Sequence, residues 1–315
     1  MLQSVIVSRF FDYMKEREAI RLRKEADRIA LLEFEDPQGP PWTDDPILRE
    51  YKFTNVRRHH DWTSDMLRST FYSDHFNDDP KDIIMMCAFA RYFGRFEFIE
   101  HMGWITYDMW ADGWFDAVKD EAQDWINKRE KVFTGAYVIT NQGIIAPKYE
   151  VVVDHFLTDL HAAVPAILDI VQKTSSWEHT ARAMSVIKGF GGTGFMTKEI
   201  LLDTMMTGFW GGDVVTQDER SFTYPSDYWS WTPIGPGGVR GAARLLGHED
   251  PGSARMKKDE PMYVILDLVL QQENYWPKEY GKLSPTDIQF QLCEFDKYER
   301  VRLGQGRPRS KYKPR

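Results

Sequence analysis

The chain holds two cysteines, Cys87 and Cys293, among 315 residues. That excludes a disulfide framework and fits a reducing compartment. Cys87 lies in the apolar run from Ile83 to Ala90 and reads as a small buried hydrophobe. No Cys-x-x-Cys or His-x-x-x-His pair occurs, so no metal site and no resident cofactor are expected. His59 and His60 are adjacent and would point apart on a helix. A nucleophile elbow for Ser–His–Asp catalysis is missing, as is the Gly-Lys-Ser/Thr end of a Walker loop. No apolar run approaches the roughly 20 residues that span a bilayer. Met1 to Lys24 shows neither a signal-type apolar core nor a cleavage site. Together these absences predict a soluble cytoplasmic protein without a membrane partner.

What is present describes a folded globular chain, 42% hydrophobic and 14% aromatic. The net charge of −8 argues against indiscriminate nucleic-acid binding. Its distribution is uneven, because seven Arg and Lys against Glu299 alone give +7 − 1 = +6 over residues 299–315. Such a tail could approach a polyanion or simply solubilise the end.

Helical periodicity dominates, and the expected class is mainly α. Helices are predicted over 8–34, from Asp45-Pro46 through Leu67, and over 81–93, 107–129, 149–172, 197–206, 259–274 and 285–299. Phe133 to Val138 reads as a short strand or extended segment, and 224–238 as a loop. The expected organisation is a single helical domain over 1–315, with lobes at 1–150 and 151–300 and a basic tail at 301–315.

Phe53-Thr54-Asn55-Val56-Arg57-Arg58-His59-His60-Asp61 concentrates the polar chemistry. On a helix Asn55, Arg58 and Asp61 share a face. An Arg held by a carboxylate beside an Asn suits a phosphate. The same spacing equally serves a solvated helix start with a structural Arg–Asp pair.

Two glycine-rich stretches invite phosphate contact. Ile187-Lys188-Gly189-Phe190-Gly191-Gly192-Thr193-Gly194-Phe195 follows the pattern of a helix-hairpin-helix turn, which aims backbone amides at a DNA phosphate. Lys188, Gly189, Gly191, Thr193 and Gly194 are its DNA-binding candidates, and an ordinary tight turn is the competing reading. Gly235-Pro236-Gly237 before a helix, with Arg240 in the first turn, forms a second candidate anion nest. Asp203 follows the hairpin. Glu294 and Lys297 stand one turn apart in Cys293-Glu294-Phe295-Asp296-Lys297-Tyr298, where an exposed salt-bridged helix is the alternative.

Taken in order, several motifs form a series: Pro41-Trp42-Thr43-x-Asp45-Pro46, the Asn55–Arg58–Asp61 motif, Gly135-Ala136-Tyr137, the 189–194 turn with Asp203, Gly235-Pro236-Gly237, and Cys293 to Arg300. The series resembles the bacteriophage thymine-hypermodification proteins. These are the α-glutamyl/putrescinyl thymine pyrophosphorylases, or amino acid:DNA transferases, together with the related helical domain of 5-hydroxymethyluracil DNA kinases. The resemblance covers roughly residues 8 to 305; the chain departs from it at Trp62, where Arg is frequent. It implies a helix-hairpin-helix fold similar to DNA glycosylases, acting on double-stranded DNA that contains a modified uracil. In the transferase branch an amino acid or polyamine displaces pyrophosphate from activated 5-hydroxymethyluracil. Arg58 and Lys297 would then stabilise the departing pyrophosphate. Glu294, Asp203 and Asp61 compete to take the amine's proton, and Asn55 completes the cluster. Trp42, Tyr137 and Tyr298 are candidates to stack on a flipped base. The scheme requires no metal, although a divalent cation would help pyrophosphate leave. The alternatives are a noncatalytic DNA-binding partner of such a kinase, and a glycosylase-like base-processing enzyme.

Overall fold

A computed structural model describes residues 2–135, 139–192, 194–308 and 310–313. The described chain is mainly helical, and its contacts divide it into two units, residues 62–233 and the two flanking stretches 1–61 and 234–315. This division differs from the lobes expected at 1–150 and 151–300. The last helix packs against the first, so both chain ends build one unit with its own apolar core.

In chain order the helices are α1 (Ser4–Leu32), α2 (Pro46–Glu50), α3 (Trp62–Leu67), α4 (Pro80–Phe93), α5 (Phe96–Met102), α6 (Tyr107–Met109) and α7 (Phe115–Asn127). They continue with α8 (Lys148–Glu150), α9 (Thr158–Thr174), α10 (Trp177–Ser185), α11 (Phe195–Thr204), α12 (Pro236–Leu245), α13 (Glu260–Gln271) and α14 (Pro285–Arg302). Three starts share one chemistry, a capping oxygen followed by proline at the first helical position. Asp45 accepts from the amides of Ile47 and Leu48, Asp79 from Lys81, and Ser284 forms a reciprocal capping box with Asp287.

In the discontinuous unit α1 buries Val7, Phe10, Phe11 and Met14, a stripe of helical spacing. α14 lies against α1, α12 and α13. The approach of α12 is close enough that a Cβ on Gly237 would land on the Cys293 thiol, and one on Gly241 on the Leu292 carbonyl. A carbonyl cannot swing aside as a side chain can. Gly241→Val is expected to cost about 3 kcal/mol, read as a lower urea midpoint; an unchanged midpoint would mean that α12 has room to shift.

The continuous unit is organised on α4, buried from Ile83 to Phe93 and packed by α5, α9 and α11. Cys87 is fully buried there, as its apolar run predicts, and burial pushes its thiol pKa up. The expected helix over 107–129 is broken at Asp112 and Gly113, where Gly113 adopts a positive φ of 102°. Lys148 to Thr174 runs continuously through a π-helical segment, Val151–Leu157. Contrary to expectation, it is long and apolar enough by length and composition to cross a membrane, with 44% of its most apolar window buried. Its buried residues, Val151 to Val153, Phe156, Leu157, Leu160, Val164, Ile167 and Val171, belong to this unit's core, and charged residues such as Asp159, Asp169 and Lys173 occupy its outer side. A short antiparallel hairpin, β1 (Val215–Gln217) and β2 (Arg220–Phe222), turns through Asp218 and Glu219, both at positive φ. No sequence signal was read there. In the expected strand or extended segment over 133–138, Phe133 makes a bridge to Gly94, and residues 136–138 lie outside the described residues.

Candidate functional site

The expected helix from Pro46 through Leu67 does not form. α2 ends at Glu50, the chain then runs extended apart from a 3-10 turn at Arg58–His60, and the helix resumes only at α3. Asn55, Arg58 and Asp61 therefore do not meet on a helix face. They meet because Asp61 closes the turn. Its Oδ1 accepts from the Asn55 amide at 2.9 Å, its Oδ2 pairs with Arg58 Nη1, and Asn55 Nδ2 donates to the His60 carbonyl at 2.6 Å. The Arg58 guanidinium also lies 5.0 Å from the centre of the Phe290 ring. His59 and His60 do not point apart as a helix would require; their rings are 4.3 Å apart, edge to face.

An extended segment without a strand partner must bond its backbone elsewhere. Here side chains do so at five successive carbonyls. Lys297 Nζ donates to Lys52 at 3.0 Å, Arg17 to Phe53 and Thr54, and Gln291 Nε2 to Asn55 and Val56. Arg57, which the sequence reading passed over, is buried and donates to the carbonyls of Tyr280 and Gly281 at 2.6 and 3.1 Å. The strap is thereby fixed to α1, α14 and the loop before α14.

Glu294 and Lys297 join the same strap. Lys297 Nζ lies 2.6 Å from Glu294 Oε2, which also accepts from the Thr54 amide at 3.1 Å. Thr54 and Asn55 thus present consecutive amides to two carboxylates, Glu294 and Asp61. Each carboxylate carries its own cation, and the Glu294 and Asp61 side chains retain 13% and 19% exposure. The arrangement offers two proton acceptors and two anion-stabilising cations that are held rather than buried. Gln291 Oε1, buried beside them, has no hydrogen-bond partner among the described residues.

The base-stacking candidates separate. Tyr137 lies outside the described residues. Tyr298 packs its ring 5.1 Å from Tyr13 and 6.3 Å from Phe53, and donates to Asp45 at 2.7 Å. Burial, followed by the Asp45 carboxylate, drives its hydroxyl pKa well up. Trp42 instead lines a cavity of about 270 Å³ with Arg17, Ile20, Pro41, Leu48 and Tyr312.

In the continuous unit, Asp203 is placed as an interior anchor rather than an open carboxylate. It is 1% exposed, and its oxygens receive Arg91 and the Tyr72 hydroxyl, with Arg91 Nε at 2.6 Å. Burial raises its pKa and Arg91 opposes the rise. Arg91 further donates to Ser64 at 2.9 Å. A carboxylate so enclosed is tied to Arg91 and Tyr72 and shut off from solvent.

The glycine-rich turn does join α10 to α11, but its glycines answer local demands. Gly189 has a φ of +94° and stands where a Cβ would meet the Phe156 ring. A Cβ on Gly191 would sit 2.6 Å from the carbonyl of Ser185, the last residue of α10, so the packing of the turn by itself demands this glycine. Gly194 caps α11 with a φ of 68° and offers no side-chain acceptor to its first amides. Lys188 is exposed on the turn; Thr193 lies outside the described residues. The second nest is corrected more fully. Gly235 does cap α12, but Gly237 is required by the contact with α14. Arg240 is bonded to Asp296, which is itself buried and also held by Arg244 at 2.7 Å.

The basic tail is not a loose end. Lys311 bridges Tyr51, the Lys52 amide donates to Ser310, and the Tyr312 amide donates to the Glu50 carbonyl. Lys311 pairs with Glu50, and Arg302 with Glu299, so part of the tail's charge is already neutralised.

Comparison with curated proteins gave no match, and comparison with solved structures gave none. The family model for the 5-hmdU DNA kinase, helical domain, matches residues 4–307, nearly the whole chain, and the protein belongs to that family.

Proposed function

We propose that the protein acts in the modification of hydroxymethyluracil in DNA, and that within this chemistry it is a pyrophosphate-releasing transferase. Its substrate is double-stranded DNA in which 5-hydroxymethyluracil already carries pyrophosphate. The nitrogen of an amino acid or polyamine bonds to the exocyclic methylene carbon while the carbon–oxygen bond to pyrophosphate breaks. Pyrophosphate leaves with the bonding pair, and the ammonium proton passes to a carboxylate. The observation that carries this reading is the pair of carboxylate–cation couples on one strap, Glu294 with Lys297 and Asp61 with Arg58. A held carboxylate suits general-base work, and a fixed cation suits a developing pyrophosphate. No cofactor is called for beyond, at most, a divalent cation on the leaving group. The work would take place in the cytoplasm, that of the host cell if the gene is viral.

In the same proposal the α10–α11 turn is the DNA-gripping element of a helix-hairpin-helix, glycosylase-like fold. Its support is the exposed Lys188 and the absence of a side-chain cap on α11. A second reading, a noncatalytic DNA-binding partner of a kinase, draws support from two observations. The matched family is a kinase's helical domain, and Glu294 and Lys297 already satisfy one another and the strap.

The test is incubation with duplex DNA bearing pyrophosphorylated 5-hydroxymethyluracil and a pool of amines, followed by nucleoside mass spectrometry. An amine-substituted thymine is expected. Arg58→Ala and Asp61→Ala should stay folded and lose about a hundred-fold in product. DNA binding with an unaltered base would sink the transferase and leave the partner.

A further inference from the structure

We propose that the Trp42 cavity is a binding site for a single-ring heterocycle bearing a phosphate, of the pyrimidine class. Its walls suit a ring. Trp42 and Tyr312 are aromatic, and Pro40, Pro41 and Ile20 close the remainder. The volume of about 270 Å³ lies just below the roughly 300–1,000 Å³ usual for ligand pockets, so one small ring with a substituent fits better than a polymer.

The cations suit the phosphate. Lys24 sits 4.8 Å from the Trp42 ring centre and 5.0 Å from that of Tyr312. Its ammonium makes no hydrogen bond or ion pair among the described residues, and the guanidinium of Arg49, exposed at the cavity, makes none either. Arg17, nearly buried, lines the cavity with Arg49 and spends Nε and Nη2 on carbonyls, while Lys24 stands over the two rings rather than in the wall. Carboxylates in this neighbourhood are engaged elsewhere. Glu16 pairs with Arg23, Asp27 accepts from the Trp42 indole, and Glu50 pairs with Lys311. The Tyr312 hydroxyl is buried without a hydrogen-bond partner. Three cations and an unused hydroxyl beside an aromatic cavity therefore lack an anion. Burial and the like charge of Arg17 both push the Lys24 pKa down, a penalty that a bound phosphate would reverse. Ring and anion follow from the cavity itself; the choice of pyrimidine rests on the proposed function.

Binding can be tested apart from turnover. Thymidine 5′-monophosphate, thymidine, and a short thymidine single strand are titrated into the full chain by calorimetry. Lys24 acetylation is followed in parallel by peptide mass spectrometry. The phosphate-bearing probe should bind at least about ten-fold tighter than thymidine, the scale of one charge-assisted hydrogen bond. It should also protect Lys24 from acetylation. Lys24→Met should remove about ten-fold in affinity, Lys24→Arg should restore most of it, and Tyr312→Phe should weaken binding without unfolding. Protection by the mononucleotide points to a free ligand; protection by the strand alone points to a base presented within DNA. Equal binding of nucleoside and nucleotide, unchanged affinity in Lys24→Met, or no protection of Lys24 by either phosphate-bearing probe overturns the proposal. Each of these results can coexist with normal base transfer, so failure here does not count against the transferase.

Discussion

Glu294→Gln is expected to form product about two to four orders of magnitude more slowly than the parent while binding DNA nearly as well. The substitution keeps the side chain's length and an oxygen that can still accept from the Thr54 amide, and it removes the proton acceptor. Lys297→Met should produce a similar fall, because it retains much of the stem over Phe53 and removes the charge beside Glu294. Single-turnover rates on prebound DNA measure the chemistry, and a gel-shift titration measures the grip. If both variants lose DNA binding and the bound substrate reacts at the parent rate, the motif is a DNA contact. Asp61 then becomes the carboxylate to replace.

Asp203→Ala is expected to destabilise the continuous unit by about 3–5 kcal/mol, because it leaves the Arg91 guanidinium buried without its partner. Arg91, Asp203 and Glu199 are all nearly inaccessible to solvent, and Arg91 lies 3.8 Å from Glu199. Replacing Arg91, Asp203 and Glu199 together by leucine should cost less than the single change, since all three charges of the buried cluster are then gone. Denaturant unfolding of the single and triple variants decides the matter. A destabilisation below about 1 kcal/mol in Asp203→Ala would show that water reaches the pair and that Asp203 belongs among open carboxylates after all.

Local chemistry was legible in the sequence. Asp45-Pro46, Asp79-Pro80 and Ser284-Pro285 each announce a helix start, and each is one. The grouping of Asn55, Arg58 and Asp61 was also legible, though for the wrong reason: an aspartate closing a turn brings together the residues that a helix face would have aligned. What depended on distant residues could not be read. Asp203 finds Arg91 across 112 positions, and nothing near Asp203 marks it as enclosed. Glycines mislead in the same way. Gly191 and Gly237 resemble phosphate-facing glycines in sequence, yet packing alone requires both, since a Cβ would meet Ser185 at the end of α10 in one case and Cys293 on a neighbouring helix in the other. The tail's pairing with Glu50 and Tyr51 was invisible because isolated bridges follow no hydrophobic period.

The unit made from both chain ends also imposes an order on biosynthesis. α1 leaves the ribosome before every other element of this unit, with Val7, Phe10, Phe11 and Met14 on one face. Their covering includes Phe295 of α14, which sits 5.4 Å from Phe10 and is translated only after the whole intervening unit. At roughly 5–20 residues per second, the nearly 300 residues between them take on the order of 15–60 s. The intervening unit, contiguous in sequence, can complete its own core within that interval. For that time the apolar stripe of α1 waits unpartnered on the nascent chain, a natural client for a holdase chaperone. Expression that slows elongation, or a cell short of such chaperones, would draw aggregation from this end of the molecule first.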